Sequence, residues 1–156
     1  MPIIHLETLI RAPIELCFDL ARSVDVHMAS TSPSRERAVA GVTSGMMEYG
    51  ETVTWEARHF GVCQRLTSKI TAYERPRMFT DEMQRGAFKR WHHTHLFESK
   101  GDRSTLMIDH ITYASPLGVL GHIADRLFLE SYMTRLLTAR NEYIKEIAEK
   151  QARHAA

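Results

Sequence analysis

Cysteine is scarce in this chain of 156 residues, which carries only Cys17 and Cys63. Their separation matches no metal-ligand spacing and they fall in a predicted helix and a predicted strand, so two reduced thiols are expected rather than a disulfide. An excess of one charge is equally absent. The 20 Lys and Arg are almost cancelled by 19 Asp and Glu, with no basic stripe, which excludes nucleic acid or an anionic membrane as a partner recruited by electrostatics. No apolar run reaches the length of a membrane span, and the opening Met1-Pro-Ile-Ile-His-Leu-Glu-Thr8 lacks the basic and apolar regions of a secretory leader. A soluble, unprocessed, cytoplasmic protein is the expectation. Also missing are a Gly-rich phosphate loop leading into a helix, a Ser-His-Asp order and a Cys-His nucleophile pair. With no internal repeat, low-complexity tract or linker, the chain reads as one domain over residues 1–150 with a frayed polar tail at 151–156.

What is present is a long series of strand patterns. The β-branched segment from Ile3 to Arg11 ends at Ala12-Pro13, where proline suits a first helical turn, and Ile14, Cys17, Phe18 and Ala21 then recur at helical spacing. A second short helix is predicted from Val24 to Ala29, and Ser30 to Ser34 breaks it. Arg35 to Val42 reads as an edge strand because of its charges. Five further strands are predicted at hairpin spacing: Glu51–Phe60, Val62–Tyr73, Met78–Gln84, Phe88–Ser99 and Ser104–Ala114. Beyond Pro116 and Gly118 the residues Leu120, Ile123, Leu127, Phe128, Met133, Leu136, Leu137, Ile144 and Ile147 trace one broad apolar helical face. An α+β fold follows, a curved antiparallel sheet wrapped around a long C-terminal helix. Such a shell leaves a cavity between helix and sheet suited to a small hydrophobic molecule.

Nine histidines are conspicuous in so short a chain, and three of them are His92, His93 and His95. On a strand His93 and His95 share one face, and Trp91 and Phe97 share it too, which marks that face as the inner one. A three-residue loop at Gly101 sets His95 opposite Asp109, Phe97 opposite Met107 and Trp91 opposite Tyr113. A two-residue loop would substitute His110 for Asp109. The odd loop is favoured because it gathers the aromatics on one face. By the same alternation Trp55 and His59 share a face, and Asp81 lies between Phe79 and Met83. Trp55, His59, Asp81, Met83, Trp91, His93, His95, Asp109 and Tyr113 are therefore expected to line the sheet side of the cavity. Leu120, Ile123, Leu127 and Phe128 are expected on the helix side, with Arg135 and Arg140 on a solvated face.

Three readings of the His/Asp group compete: a satisfied buried network, a polar patch holding a carbonyl or hydroxyl, and an acid–base pair. Metal is weighed because Gly86-x6-His93-x-His95-x-x-Glu98 superficially resembles the first cupin motif and Pro116-x-Gly118-x-x-x-His122 faintly resembles the second. Glu98 takes the opposite strand face and His122 falls in the helix, so a third ligand is lacking at workable spacing. No metal or cofactor is expected.

At residue level Ala12-Pro-Ile-Glu-Leu-Cys-Phe18 resembles the entry to the first helix of bacterial START-like (SRPBCC) proteins. Val53-Thr-Trp55, Phe79-Thr-Asp-Glu-Met83, Gly86-Ala-Phe88, His93-Thr-His-Leu-Phe97 and Tyr113-Ala-Ser-Pro-Leu-Gly118 are similar to a polyketide cyclase/dehydrase-like bacterial branch of that superfamily. The resemblance covers almost the whole chain and implies the helix-grip fold, whose members bind lipids, sterols, quinones or polyketides between sheet and terminal helix. It carries no catalytic signature. The expected function is binding of a lipid-, quinone- or polyketide-like molecule without turnover. The alternatives are an aromatase/cyclase-type or hydrolase-like enzyme using the His/Asp group for proton transfer, and a module whose apolar groove receives a protein partner.

Overall fold

A computed structural model describes residues 1–116 and 118–156, except for the side chains of 121, 122 and 124–126. His122 of the cupin-like motif thus lies outside the described side chains. Strand β1 (Ile3–Ile10) leads into helices α1 (Ile14–Ala21) and α2 (Val24–Ser30), and six strands follow: β2 (Arg37–Gly41), β3 (Thr52–His59), β4 (Val62–Glu74), β5 (Met78–Arg85), β6 (Arg90–Ser99) and β7 (Thr105–Ala114). Helix α3 (Gly118–Ala124) passes through a π-helical segment, Asp125–Leu129, into α4 (Glu130–Ala155). The predicted strands and helices are all present, with ends shifted by a residue or two. Residues 151–155 are helical rather than a frayed tail, because α4 continues through them.

The sheet has seven strands in the order β1-β7-β6-β5-β4-β3-β2. Every pairing is antiparallel. β2 is an edge, as its charges imply, and α1 and α2 carry the chain from the β1 edge across to it. Register shifts in the β2–β3 and β4–β5 ladders supply bulges, which bend strands and deepen the sheet's curvature.

Two apolar clusters hold the layers together. In the larger, Phe18 of α1 meets Tyr73, Phe79 and Phe97 edge-on at 5.3–5.4 Å between ring centroids, and Ile144 and Ala148 of α4 close over them. In the smaller, Leu137 of α4 packs against Trp91, Ile111 and Tyr113. Both thiols are free, Cys17 within the larger cluster and Cys63 exposed. Among the described residues no helix is long and apolar enough to cross a membrane.

The β3–β4 hairpin turns on Phe60 and Gly61, both at positive φ (51° and 76°). Two such residues make the turn whose twist suits a hairpin, but Asn-Gly is the preferred pair and a phenylalanine there is strained. Phe60 is nevertheless 69% exposed, with its ring 4.7 Å from that of Tyr132 on α4.

Candidate functional site

The site begins with strand register. Lys100 donates its backbone N–H to Ser104 at 2.8 Å, leaving the three-residue loop Gly101 to Arg103. The odd loop sets His95 opposite Asp109, Phe97 opposite Met107 and Trp91 opposite Tyr113, as the gathering of aromatics implied. The neighbouring ladder sets Asp81 opposite His93 and Phe79 opposite His95. Two imidazoles therefore stand between a carboxylate on β5 and another on β7.

Their geometry is tight. The His93 and His95 rings lie 3.7 Å apart between centroids, and His95 is stacked on Phe79 at 4.1 Å. One oxygen of Asp109, Oδ1, is 2.7 Å from His93 Nε2 and 3.1 Å from His95 Nδ1. On the other side Asp81 Oδ2 is 2.9 Å from His95 Nε2 and 3.8 Å from His93 Nδ1. From α4, Asn141 Nδ2 donates to Asp109 Oδ2 at 2.6 Å, and Arg140 Nη1 lies 3.5 Å from Asp109 Oδ1. Arg140 also donates to the Ala21 carbonyl at 3.1 Å and to Asn141 Oδ1 at 3.0 Å, which ties α4 to the end of α1.

The charges follow from these contacts. Burial opposes ionisation of Asp109, but hydrogen bonds from His93 and His95, with the Arg140 charge beside them, hold its carboxyl well below the usual range. Burial likewise opposes ionisation of Asp81, and the His95 hydrogen bond and the charge of His93 lower it. Burial, and then the charge of His95, push His93 down to about 4 despite its bond to Asp109. His93 is therefore a neutral imidazole near pH 7. Since an ionised carboxylate only accepts, its single N–H belongs on Nε2, which leaves the Nδ1 lone pair on the Asp81 side.

These groups form part of the wall of a cavity of about 420 Å³ between sheet and helix. Of the residues proposed for the cavity, Trp55, His59, Asp81, Trp91, His93, His95 and Phe128 stand on its lining. The other expected lining residues do not. Asp109 and Tyr113 have no exposed surface and stand behind the wall, since the two imidazoles and Trp91 cover them. Met83 packs into the smaller apolar cluster, filling space that the missing Gly86 side chain leaves open. Leu120, Ile123 and Leu127 are more than half exposed and lie off the lining. The π-helical segment inserts an extra residue per turn and rotates the apolar stripe, so that α4 faces the cavity through Tyr132, Met133, Leu136, Leu137 and Arg140 instead.

Arg140 corrects another expectation, being 4% exposed rather than on a solvated face. Its place three residues after Leu137 and four before Ile144 was the signal for burial, overridden by its charge. Asn141, four residues after Leu137 and three before Ile144, was missed because it is polar. Of a second polar group only His59 was expected, and its partners were missed. At the other end of the lining, His27 Nε2 lies 3.3 Å from Glu36 Oε2 and its ring 4.2 Å from that of Trp55, while His59 Nδ1 and the Tyr132 hydroxyl are 2.7 Å apart. Burial opposes ionisation of Glu36, and His27 holds its carboxyl below the ordinary value. Alternation along the edge strand held the clue, because Arg37 pairs outward with Glu56, which turns Glu36 inward. Tyr132 and Arg140 mark the two polar stations on α4, and their separation of eight residues spans about 12 Å of helix.

No family model matches the chain, and no curated protein matches it. Solved structures do. The chain is similar to the Zhui aromatase/cyclase from Streptomyces sp. R1128, with 13% identity, a TM-score of 0.80, and 99% of this chain and 98% of that one covered. It is also similar to a START superfamily protein from Mycobacterium smegmatis, with 12% identity, a TM-score of 0.65, and 99% of each chain covered. A third likeness is to norcoclaurine synthase from Thalictrum flavum in complex with dopamine and hydroxybenzaldehyde, with 11% identity, a TM-score of 0.67, and 94% and 85% covered. At these identities the likeness is one of fold.

Proposed function

This chain has the helix-grip fold of the START-like (SRPBCC) superfamily, and on that footing we propose that it binds a small hydrophobic or amphipathic molecule between sheet and terminal helix. The single observation that carries this reading is the cavity of about 420 Å³, apolar along most of its wall and polar at two stations. Its volume falls within the ~300–1,000 Å³ of small-molecule sites. Exposed Phe60, its ring against Tyr132, stands by one station, while His93, His95 and Arg140, all nearly buried, form the other. A ligand that fits has an apolar body with an oxygen at each end, separated by the ~12 Å between the stations along α4. Lipid-, quinone- and polyketide-like molecules meet that description. We place the protein in the cytoplasm, where Cys17 and Cys63 stay reduced.

An environment-sensitive apolar dye should bind the native protein at micromolar concentration. Ala57→Phe, which fills the cavity from β3, and Trp55→Ala should each weaken binding by about tenfold or more, a loss of ~1.4 kcal/mol per decade. Arg135→Ala, on the exposed face of α4, should not. Equal binding by all four proteins would reject the cavity as the site.

The turn supplies a second check. Phe60→Asn relieves the strained hairpin position, so its melting temperature should equal or exceed the parent's while dye binding weakens through loss of an aromatic at the mouth. A lower melting temperature with unchanged binding would make Phe60 a packing residue only.

Proton-transfer chemistry is the alternative reading, favoured by one observation: His93 is neutral and borders the cavity. A neutral imidazole backed by a carboxylate is a general base. Turnover of a poly-β-keto substrate, lost in His93→Gln while dye binding persists, would select it.

A further inference from the structure

We propose that Asp81, His93 and His95 bind one divalent transition-metal cation, with Asp109 as the shared outer partner of both histidines. The expectation of no metal rested on the want of a third ligand along β6, and β5 provides one. Among the described residues, one donor atom from each of Asp81, His93 and His95 lies within 4.8 Å of the other two. Asp81 Oδ2 stands 2.9 Å from His95 Nε2 and 3.8 Å from His93 Nδ1. A tetrahedral ion with bonds of about 2.0–2.1 Å separates its ligand atoms by roughly 3.3 Å, midway between those distances.

The outer partners carry the inference further. Asp109 accepts from Asn141 at 2.6 Å and has the Arg140 cation at 3.5 Å, so it is a carboxylate and a pure acceptor. Its Oδ1 accepts from His93 Nε2 at 2.7 Å and lies 3.1 Å from His95 Nδ1, while His95 Nε2 is hydrogen-bonded to Asp81 Oδ2 at 2.9 Å. On the cavity side stand the lone pair of His93 Nδ1, His95 Nε2 and an oxygen of Asp81, and the proton that His95 Nε2 donates to Asp81 would move to Nδ1, which faces Asp109, when an ion enters. With that proton moved, three lone-pair donors converge on one point. A cation bound there has each imidazole oriented by a carboxylate on its far nitrogen, the arrangement that fixes tautomer and raises ligand basicity at metal sites. Two imidazoles and a carboxylate suit zinc, iron, cobalt or nickel over calcium or magnesium.

The charge balance also names what the ion would hold. Two carboxylates, the dication and Arg140 sum to one positive charge, so an anionic oxygen such as hydroxide, carboxylate or enolate completes the site. Asp81, His93 and His95 all border the cavity, so an open coordination position of the ion would face it. The ion would thus sit at the deep polar station, where an oxygen of the cavity ligand can reach it.

The test uses the full chain, free of any histidine tag and stripped by chelator, titrated with Co²⁺. One Co²⁺ per chain should bind, with visible d–d bands typical of nitrogen and oxygen ligation, and Zn²⁺ should displace it. Asp81→Asn, which keeps its shape at the cavity wall, should abolish saturable binding. Asp109→Asn should weaken it about 10- to 100-fold, the usual cost of an outer-partner change. His92→Ala, on the opposite face of β6, should change nothing. Absence of stoichiometric Co²⁺ and Zn²⁺ binding by the parent protein would overturn the proposal and leave a proton shared among Asp81, His95 and Asp109 in the ion's place. So would binding that Asp81→Asn leaves intact. Dye binding by the metal-free protein reports on the cavity independently, so the two readings fail separately.

Discussion

Asp109→Ala should destabilise the protein by about 3–5 kcal/mol, because one carboxylate on β7 organises four side chains from β6 and α4, and removing it leaves charged partners buried without compensation. Arg140 would keep its positive charge at 4% exposure, and both imidazoles would lose the acceptor for their far nitrogens. For a chain of this size each kcal/mol moves the melting temperature by about 2–4 °C, so a drop on the order of 10 °C is expected. Asp109→Asn should lose less, since it keeps an acceptor oxygen and the shape of the side chain. Thermal melts of the two variants decide the matter. A loss below about 1 kcal/mol for Asp109→Ala, the size of an ordinary hydrogen bond, would mean that the group is solvated and not a closed buried network.

The metal-free protein should lose stability as the pH falls from about 6.5 to about 4, and His93 is the cause. Burial and the charge of His95 hold its folded pKa at about 4, against 6.5 as the ordinary value. Between those two values the unfolded chain binds a proton that the folded one refuses, so stability rises with pH across that window and falls on acidification. At about 1.4 kcal/mol per pKa unit the difference amounts to on the order of 3 kcal/mol. Asp109 acts in the same direction lower down, because its depressed folded pKa confers stability that is lost only when the pH drops beneath the unfolded value and on through the folded one. Urea midpoints at pH 7, 5.5 and 4.5 in the presence of chelator measure the effect. His93→Gln retains a donor for Asp109 and cannot titrate, so its midpoint should change much less between pH 6.5 and 4. A parent curve that is flat over that interval would show His93 to be solvated and unshifted.

Much of the fold was legible because its signals are local. Alternation with period two marks β3 to β7, Pro13 starts α1, and the parity of the Gly101 loop brings His95 to Asp109, all within reach of neighbouring residues along the chain. The inner face of β6 was legible for the same reason: Trp91, His93, His95 and Phe97 alternate with residues that face out. Trp55 and His59 followed from the same rule on β3.

The sequence by itself therefore determined the order of strands and helices and the inner faces of β3 and β6. Only the tertiary structure decided how those faces meet. Asp81 reaches His93 and His95 through the β5–β6 ladder, and Asn141 reaches Asp109 from 32 residues away along the chain. No local period records either. The helix side misled for a related reason. Leu120, Ile123 and Leu127 share an apolar stripe with Leu137 only if the helix is regular, and the π-helical Asp125–Leu129 breaks that phase, turning them outward and Tyr132 and Arg140 inward. A charged residue such as Arg140 is buried only where a partner already waits, and that partner belongs to another strand.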